Sequence, residues 1–208
     1  LDPNRTANFN TRQNGYDMSA DALGYPESYY TPPARAIDRI EMVKGAASLQ
    51  YGSQFGGLLN FKLRDGNIDN KLEAHSYQTV GSFGYYDGFN SVEGQVGRLQ
   101  YYAMHQFRRG DGWRENAGFQ QNTAIASVGY QLTDKLQLKA DLTYMKYLAQ
   151  QPGGLQDFEF EQDPRSSKRD RNWFQVDWRL AALSADYIAS ASLKFNTRIF
   201  ALQAERMA

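Results

Sequence analysis

The sequence predicts a mostly β protein: the wall of a transmembrane antiparallel β-barrel, preceded by a small loop-rich domain. Three observations carry this reading. After about residue 68, stretches of roughly ten residues alternate in polarity and are separated by turn residues. The connections between those stretches alternate between tight and long. The chain is also polar on average, with a mean hydropathy of −0.66, yet 14% of it is aromatic.

The clearest stretch is 136–145, where Leu136, Leu138, Ala140, Leu142 and Tyr144 share one face and Gln137, Lys139, Asp141 and Thr143 the other. Successive side chains of a strand point to opposite faces, so one side is apolar and its reverse charged. The pattern recurs at 174–180 (Phe174, Val176, Trp178, Leu180) and at 189–198 (Ala189, Ala191, Leu193, Phe195), and more weakly at 72–82, 89–96, 99–108 and 122–131. That makes about seven strands.

A loop near Tyr85-Tyr86-Asp87-Gly88 is followed by a tight turn at Gly97-Arg98. Loop 109–118 precedes a short turn at Thr133-Asp134, and the long segment 148–171 precedes a short turn at Ser184-Ala185-Asp186. Tight turns on one rim and long loops on the other mark an up-and-down barrel, whereas a Greek-key sandwich has no reason to keep that parity.

Composition narrows the function classes. The 23 basic and 23 acidic residues cancel, which argues against a nucleic-acid partner. Without cysteine there is no disulfide framework, zinc-thiolate cluster or thiol nucleophile. No apolar run is long enough for a membrane-spanning helix, but barrel strands average out as polar and escape that criterion. The 14 Tyr, 12 Phe and 3 Trp suit aromatic girdles, as they would suit a Tyr-rich soluble sandwich. No nucleophile sits near a histidine, no glycine-rich phosphate loop opens a helix, and no metal-ligand spacing is present, so the expectation is a non-enzyme without cofactor or metal. The chain opens at Leu1 with no signal peptide and reads as part of a longer protein.

Residues 37–45 (Ile-Asp-Arg-Ile-Glu-Met-Val-Lys-Gly), then Ala46-Ala47-Ser48, Leu49-Gln50-Tyr51-Gly52 and Gly56-Gly57-Leu58-Leu59-Asn60-Phe61, are the most specific signal. Read physically, Ile40, Met42 and Lys44 alternate with Glu41 and Val43 in a short strand ending at Gly45. Leu59, Phe61 and Leu63 alternate with Asn60 and Lys62 in another. The segment closely resembles the end of the plug in TonB-dependent outer-membrane receptors. Gly15-Tyr16-Asp17-Met18 and Gly24-Tyr25-Pro26-Glu27 resemble the ferric-dicitrate branch.

The resemblance implies a plugged barrel of about 22 strands in full, with residues 1–67 as the C-terminal part of the plug and 68–208 as the first barrel strands. It implies a bacterial outer-membrane location and uptake of a ferric chelate. Energy would come from a TonB-type inner-membrane partner, whose contact motif lies upstream in the plug and outside these residues. Surrounding lipid is the other implied partner. Same-fold uptake of oligosaccharide or peptide beneath a surface lipoprotein, an assembly role in an outer-membrane complex, and a soluble β-rich binding module are the alternatives.

The resemblance also suggests sites. Arg39, Glu41 and Lys44 correspond to a plug–barrel latch of buried ion pairs, where the bare sequence reads as a solvated strand face. Lys44 replaces the usual arginine and lacks its bidentate fork. Gly45, Tyr51, Gly52, Gly56 and Gly57 form the plug's turn motif. Candidate substrate contacts are Tyr16, Asp17, Tyr25, Glu27, Tyr29 and Tyr30 in the plug, and Arg108, Arg109, Asp111, Trp113 and Arg114 in a loop, since guanidinium groups suit the carboxylates of an anionic chelate. The acids and bases of 157–171 read as a solvated loop, and Arg109-Gly110-Asp111 as a turn.

Overall fold

The computed structural model describes residues 9–18, 30–45, 57–66 and 68–208. Tyr25, Glu27, Tyr29, Tyr51, Gly52 and Gly56 lie outside them.

Two sheets make up the described chain. The smaller has four strands in the order β2-β1-β4-β3: β1 (Phe9–Gln13), β2 (Tyr16–Asp17), β3 (Ile37–Val43) and β4 (Gly57–Leu63). Asn14 and Gly15, both at positive φ (49° and 89°), turn β1 into β2, the backbone that an Asn-Gly hairpin adopts most readily. β4 then runs parallel to β1 and antiparallel to β3.

The larger sheet is a seven-stranded antiparallel meander in sequence order. Its strands are β5 (Glu73–Val80), β6 (Tyr86–Val96), β7 (Leu99–Gly110), β8 (Phe119–Thr133), β9 (Leu136–Gln150), β10 (Trp173–Ser190) and β11 (Leu193–Met207). Two-residue turns at Gly97-Arg98, Asp134-Lys135 and Ala191-Ser192 line one rim. The connections 81–85, 111–118 and 151–172 line the other, the last carrying a short helix, α1 (Asp157–Gln162). The expected parity of short and long connections is present.

Two expectations are corrected. Tyr86, Asp87 and Gly88 belong to β6, and the preceding turn is centred on Phe83 and Gly84, both at positive φ (57° and 65°). Ser184-Ala185-Asp186 is no turn but the middle of an 18-residue strand, and the chain reverses at Ala191-Ser192, inside the stretch read as a strand. Ser184 and Asp186 look like turn residues because they face the polar side of the sheet.

Which side is polar decides the architecture. On β9 the charged face (Lys139, Asp141, Thr143) is the covered one, while Leu138, Leu142, Tyr144 and Leu148 are exposed. The outward row continues across Val128, Tyr130, Leu183 and Ile199, with Leu142 at 59%, Leu183 at 62% and Ile199 at 69% exposure. A soluble domain hides such a surface; a barrel wall turns it to hydrocarbon.

The small sheet packs on the covered face. Tyr16, Met18 and Tyr30 form one core with Met145, Val176, Trp178, Leu180 and Ala182 of the wall. Ala36 and Leu63 form a second with Phe89, Tyr102, Met104 and Ile125. The rings of Tyr30 and Trp178 stack with centroids 5.8 Å apart, as do those of Tyr16 and Phe200. Each large apolar side chain buried here contributes about 1.5–3 kcal/mol, enough to hold the four short strands described here against the wall.

Candidate functional site

Below those cores, toward the tight-turn rim, the contact between plug and wall becomes polar. The β1–β2 turn sits at its centre. Asn14 donates from Nδ2 to Asp141 of the wall at 3.3 Å, and its Oδ1 accepts the Leu63 backbone N–H at 3.0 Å. Gln13 donates to Thr143 at 2.9 Å and to the Tyr16 hydroxyl at 3.1 Å, and its Oε1 accepts from Tyr30 at 3.0 Å. Burial pushes both phenols well above their usual pKa, so they stay neutral.

Where the chain leaves β4 for the wall, Arg64 forks onto Glu93 of β6: Nε lies 3.2 Å from Oε2, and Nη2 bonds Oε1. Glu93 has only 2% of its side chain exposed, and its bonds hold the Arg64 guanidinium above its ordinary pKa. Next in sequence, Asp65 pairs with Lys139 of β9 at 3.8 Å, and Lys139 reaches Asp141 at 3.7 Å. Gly66, at φ 76°, passes so close to the Tyr101 backbone that any side chain there would collide with it. These residues border a cavity of about 350 Å³ shared with Lys62, Gln137, Ser184, Asp186 and Arg198. Burial draws the Lys62 ammonium below its usual pKa, against the opposing pull of Glu41.

Arg39, Glu41 and Lys44, which the resemblance implies as a latch, lie on β3, the edge strand of the small sheet, and just past its end. Arg39 is 61% exposed and bonds its strand neighbours, Asp38 at 2.9 Å and Glu41 at 3.1 Å. Glu41 also accepts Asn60 Nδ2 at 2.7 Å; burial alone would raise its pKa, but that bond and the charges of Lys62 and Arg39 bring it down. Lys44 and Gly45 are exposed, and Gly57 is buried at the start of β4. Among the described residues, the plug–wall ion pairs are made by Arg64 and Asp65, which sequence reasoning missed. No spacing rule links Arg64, just past the end of β4, to a residue 29 positions on in β6.

At the opposite rim the three connections brace one another. Arg114 donates to the carbonyls of Gly153 at 2.9 Å and Ser166 at 2.7 Å. Arg165 donates to the Trp113 carbonyl at 3.1 Å, and the Asp111 N–H to the Phe83 carbonyl at 2.8 Å. Lys168 pairs with Glu159 of α1, and with the Gln156 backbone this holds the carboxylate below its usual pKa.

The expected ligand contacts therefore separate. Tyr16 and Tyr30, at 2% and 0% exposure, are packing residues in the core. Asp17 accepts from Asn10 within the plug at 3.3 Å. Arg114 and the Trp113 carbonyl hold loops together. Arg109 pairs across the sheet with Tyr86 and Gln120, on the parity of Phe107 and His105, and so faces outward. Arg108 alone of that set shares the inward parity of Tyr102, Met104 and Gln106. Its Nη1 lies 3.5 Å from Gln121, its Nε is enclosed without a partner, and Asp87 and Gln106 neighbour it, 2.8 Å apart.

A plug docked on the polar face of a meander whose other face is apolar has counterparts among solved structures. The ferric citrate transporter FecA in its unliganded form superposes with a TM-score of 0.82 at 22% identity, over 99% of this chain and 32% of that one. This is the plug-and-barrel fold of the TonB-dependent receptors.

The siderophore receptor PiuA from Acinetobacter baumannii gives 0.75 at 12% identity, over 97% of this chain and 29% of that one. FpvA of P. aeruginosa, bound to an iron–pyoverdine complex, gives 0.71 at 16%, over 91% and 26%. No family model matches the sequence. The chain spans about a third of the length of the structures it matches. Within the receptor fold, residues 9–18, 30–45 and 57–66 supply plug strands and β5–β11 a contiguous stretch of wall.

Proposed function

We propose that the protein takes up a ferric chelate across a bacterial outer membrane, and that an inner-membrane TonB-type partner supplies the energy. The carrying observation is the sidedness of the wall. Its apolar face suits lipid, and its polar face is covered by a domain docked through both an apolar core and a polar seam. A diffusion pore has no use for such a plug. The cargo class rests on the similar structures, which are receptors and transporters for iron chelates. It rests also on Arg108, a guanidinium with an enclosed, unpartnered Nε on the lumen side, beside the rim of long loops. Such a group favours anionic oxygen ligands.

The test is uptake of ferric citrate and other iron chelates, supplied singly, in a strain lacking the gene. Loss for one chelate, restored by the intact gene, is the expected result; normal uptake of all of them overturns the proposal. For the chelate identified, Arg108→Ala is expected to weaken binding by roughly tenfold or more, the loss of one charge-assisted bond of about 1.5–3 kcal/mol. Arg109→Ala, on the outer face, leaves binding unchanged.

A further inference from the structure

We propose that Glu73, His75 and Glu93 form a binding site for a divalent transition metal of the zinc class on the inner face of the wall. Glu73 and His75 lie two residues apart on β5, and Glu93 stands directly opposite Glu73 on β6. All three share the parity of Phe89 and Ser91, whose side chains are buried toward the plug.

The three side chains converge on one point. His75 Nε2 lies 3.6 Å from Glu73 Oε2 and 3.6 Å from Glu93 Oε1, and the three ligand atoms fall within 4.8 Å of one another. Separations of 3.6 Å are too long for hydrogen bonds. They match the edge of a tetrahedron: bonds of about 2.1 Å to zinc set neighbouring ligand atoms about 3.4 Å apart. At those separations His75 Nε2, which is enclosed, has no hydrogen-bond partner, although a buried ring nitrogen normally has one.

The surroundings orient the donors. Asn70 bonds Glu73 through Oε1 and leaves Oε2 toward the imidazole. Arg64 forks onto Glu93, but each carboxylate oxygen has two lone pairs, so Oε1 keeps one for an ion. Two carboxylates facing each other across a strand pair repel, and Arg64 supplies one positive charge against two negative ones. One imidazole with two carboxylates selects zinc-like ions over magnesium or calcium, which prefer all-oxygen sites, and water completes the tetrahedron. Because Glu93 also holds Arg64, a bound ion would tie β5 and β6 to the point where the plug joins the wall.

The experiment uses the full-length, tag-free protein in detergent, stripped with a chelator, titrated calorimetrically with zinc chloride, and separately with cobalt chloride read by visible absorption. One zinc per protein and a tetrahedral cobalt band are expected. His75→Ala and Glu73→Gln should each weaken zinc binding by about tenfold or more and remove the band. His105→Ala, on the outer face, should leave both intact. Absence of zinc binding, or binding unchanged in His75→Ala, overturns the proposal. Glu73→Gln keeps the shape of the side chain and decides the matter if the alanine variant fails to fold. Chelate uptake plays no part in these readouts, so the site stands or falls separately from the transport function.

Discussion

The contact between plug and wall has two halves of opposite chemistry, and strands β9 and β10 pass through both. Toward the long loops, Met145, Val176, Trp178 and Leu180 are apolar and close on Tyr16, Met18 and Tyr30. Four residues further toward the tight turns, the same inward rows read Asp141, Lys139, Ser184 and Asp186, facing Asn14, Asp65 and a polar cavity. The apolar half gains free energy in proportion to buried area and is indifferent to direction. The polar half gains little net energy, but its groups are costly to strand without partners. The first fixes how tightly the plug is held; the second fixes where it sits, and water in the cavity can replace its bonds one at a time.

Substitutions can break this contrast. Trp178→Ala is expected to have the largest effect, about 3–5 kcal/mol lost from plug docking, seen as faster hydrogen exchange in β1 and β4. If it costs no more than the polar substitutions, the division of labour is wrong. Arg64→Met strands the buried Glu93 carboxylate and is expected to cost about 3 kcal/mol, whereas the double variant Arg64→Met with Glu93→Leu is expected to be near neutral. A double variant as damaging as the single one would mean that the pair contributes strongly to stability.

The smallest effect concerns the loops. The folded Glu159 carboxyl titrates below the usual 4.5, held down first by Lys168. A depressed carboxylate stabilises above its unfolded pKa, and that stabilisation is lost as pH falls through the folded one. Protease cleavage in 151–172 should therefore stay slow at neutral pH and rise only in acid below that range. Equal rates at both would remove the role assigned to the pair.

Much of the wall was legible because a strand's period of two survives whatever covers it. Strand number and the parity of connections followed from alternation and turn residues. Which face pointed inward did not, because alternation is symmetric: Leu142 and Asp141 were assigned to opposite faces without a direction. Ser184 and Asp186 were misread because polar residues facing a polar interior resemble a turn. Among the candidate sites, Arg108 could be named but not separated from Arg109 and Arg114. That separation depends on register and on which guanidinium the loops had already engaged. The Arg64–Glu93 pair and the Glu73, His75 and Glu93 set were invisible, since only the folded register brings them together.

The loop braces have a consequence for how this surface can change over generations. Arg114 and Arg165 grip the backbone carbonyls of Gly153, Ser166 and Trp113 rather than side chains. A carbonyl is the same in every residue. The side chains of Ser166 and Trp113 can therefore vary while the arch they are mounted on keeps its shape, whereas position 153, at φ 76° and closed in by Arg169, is held to glycine.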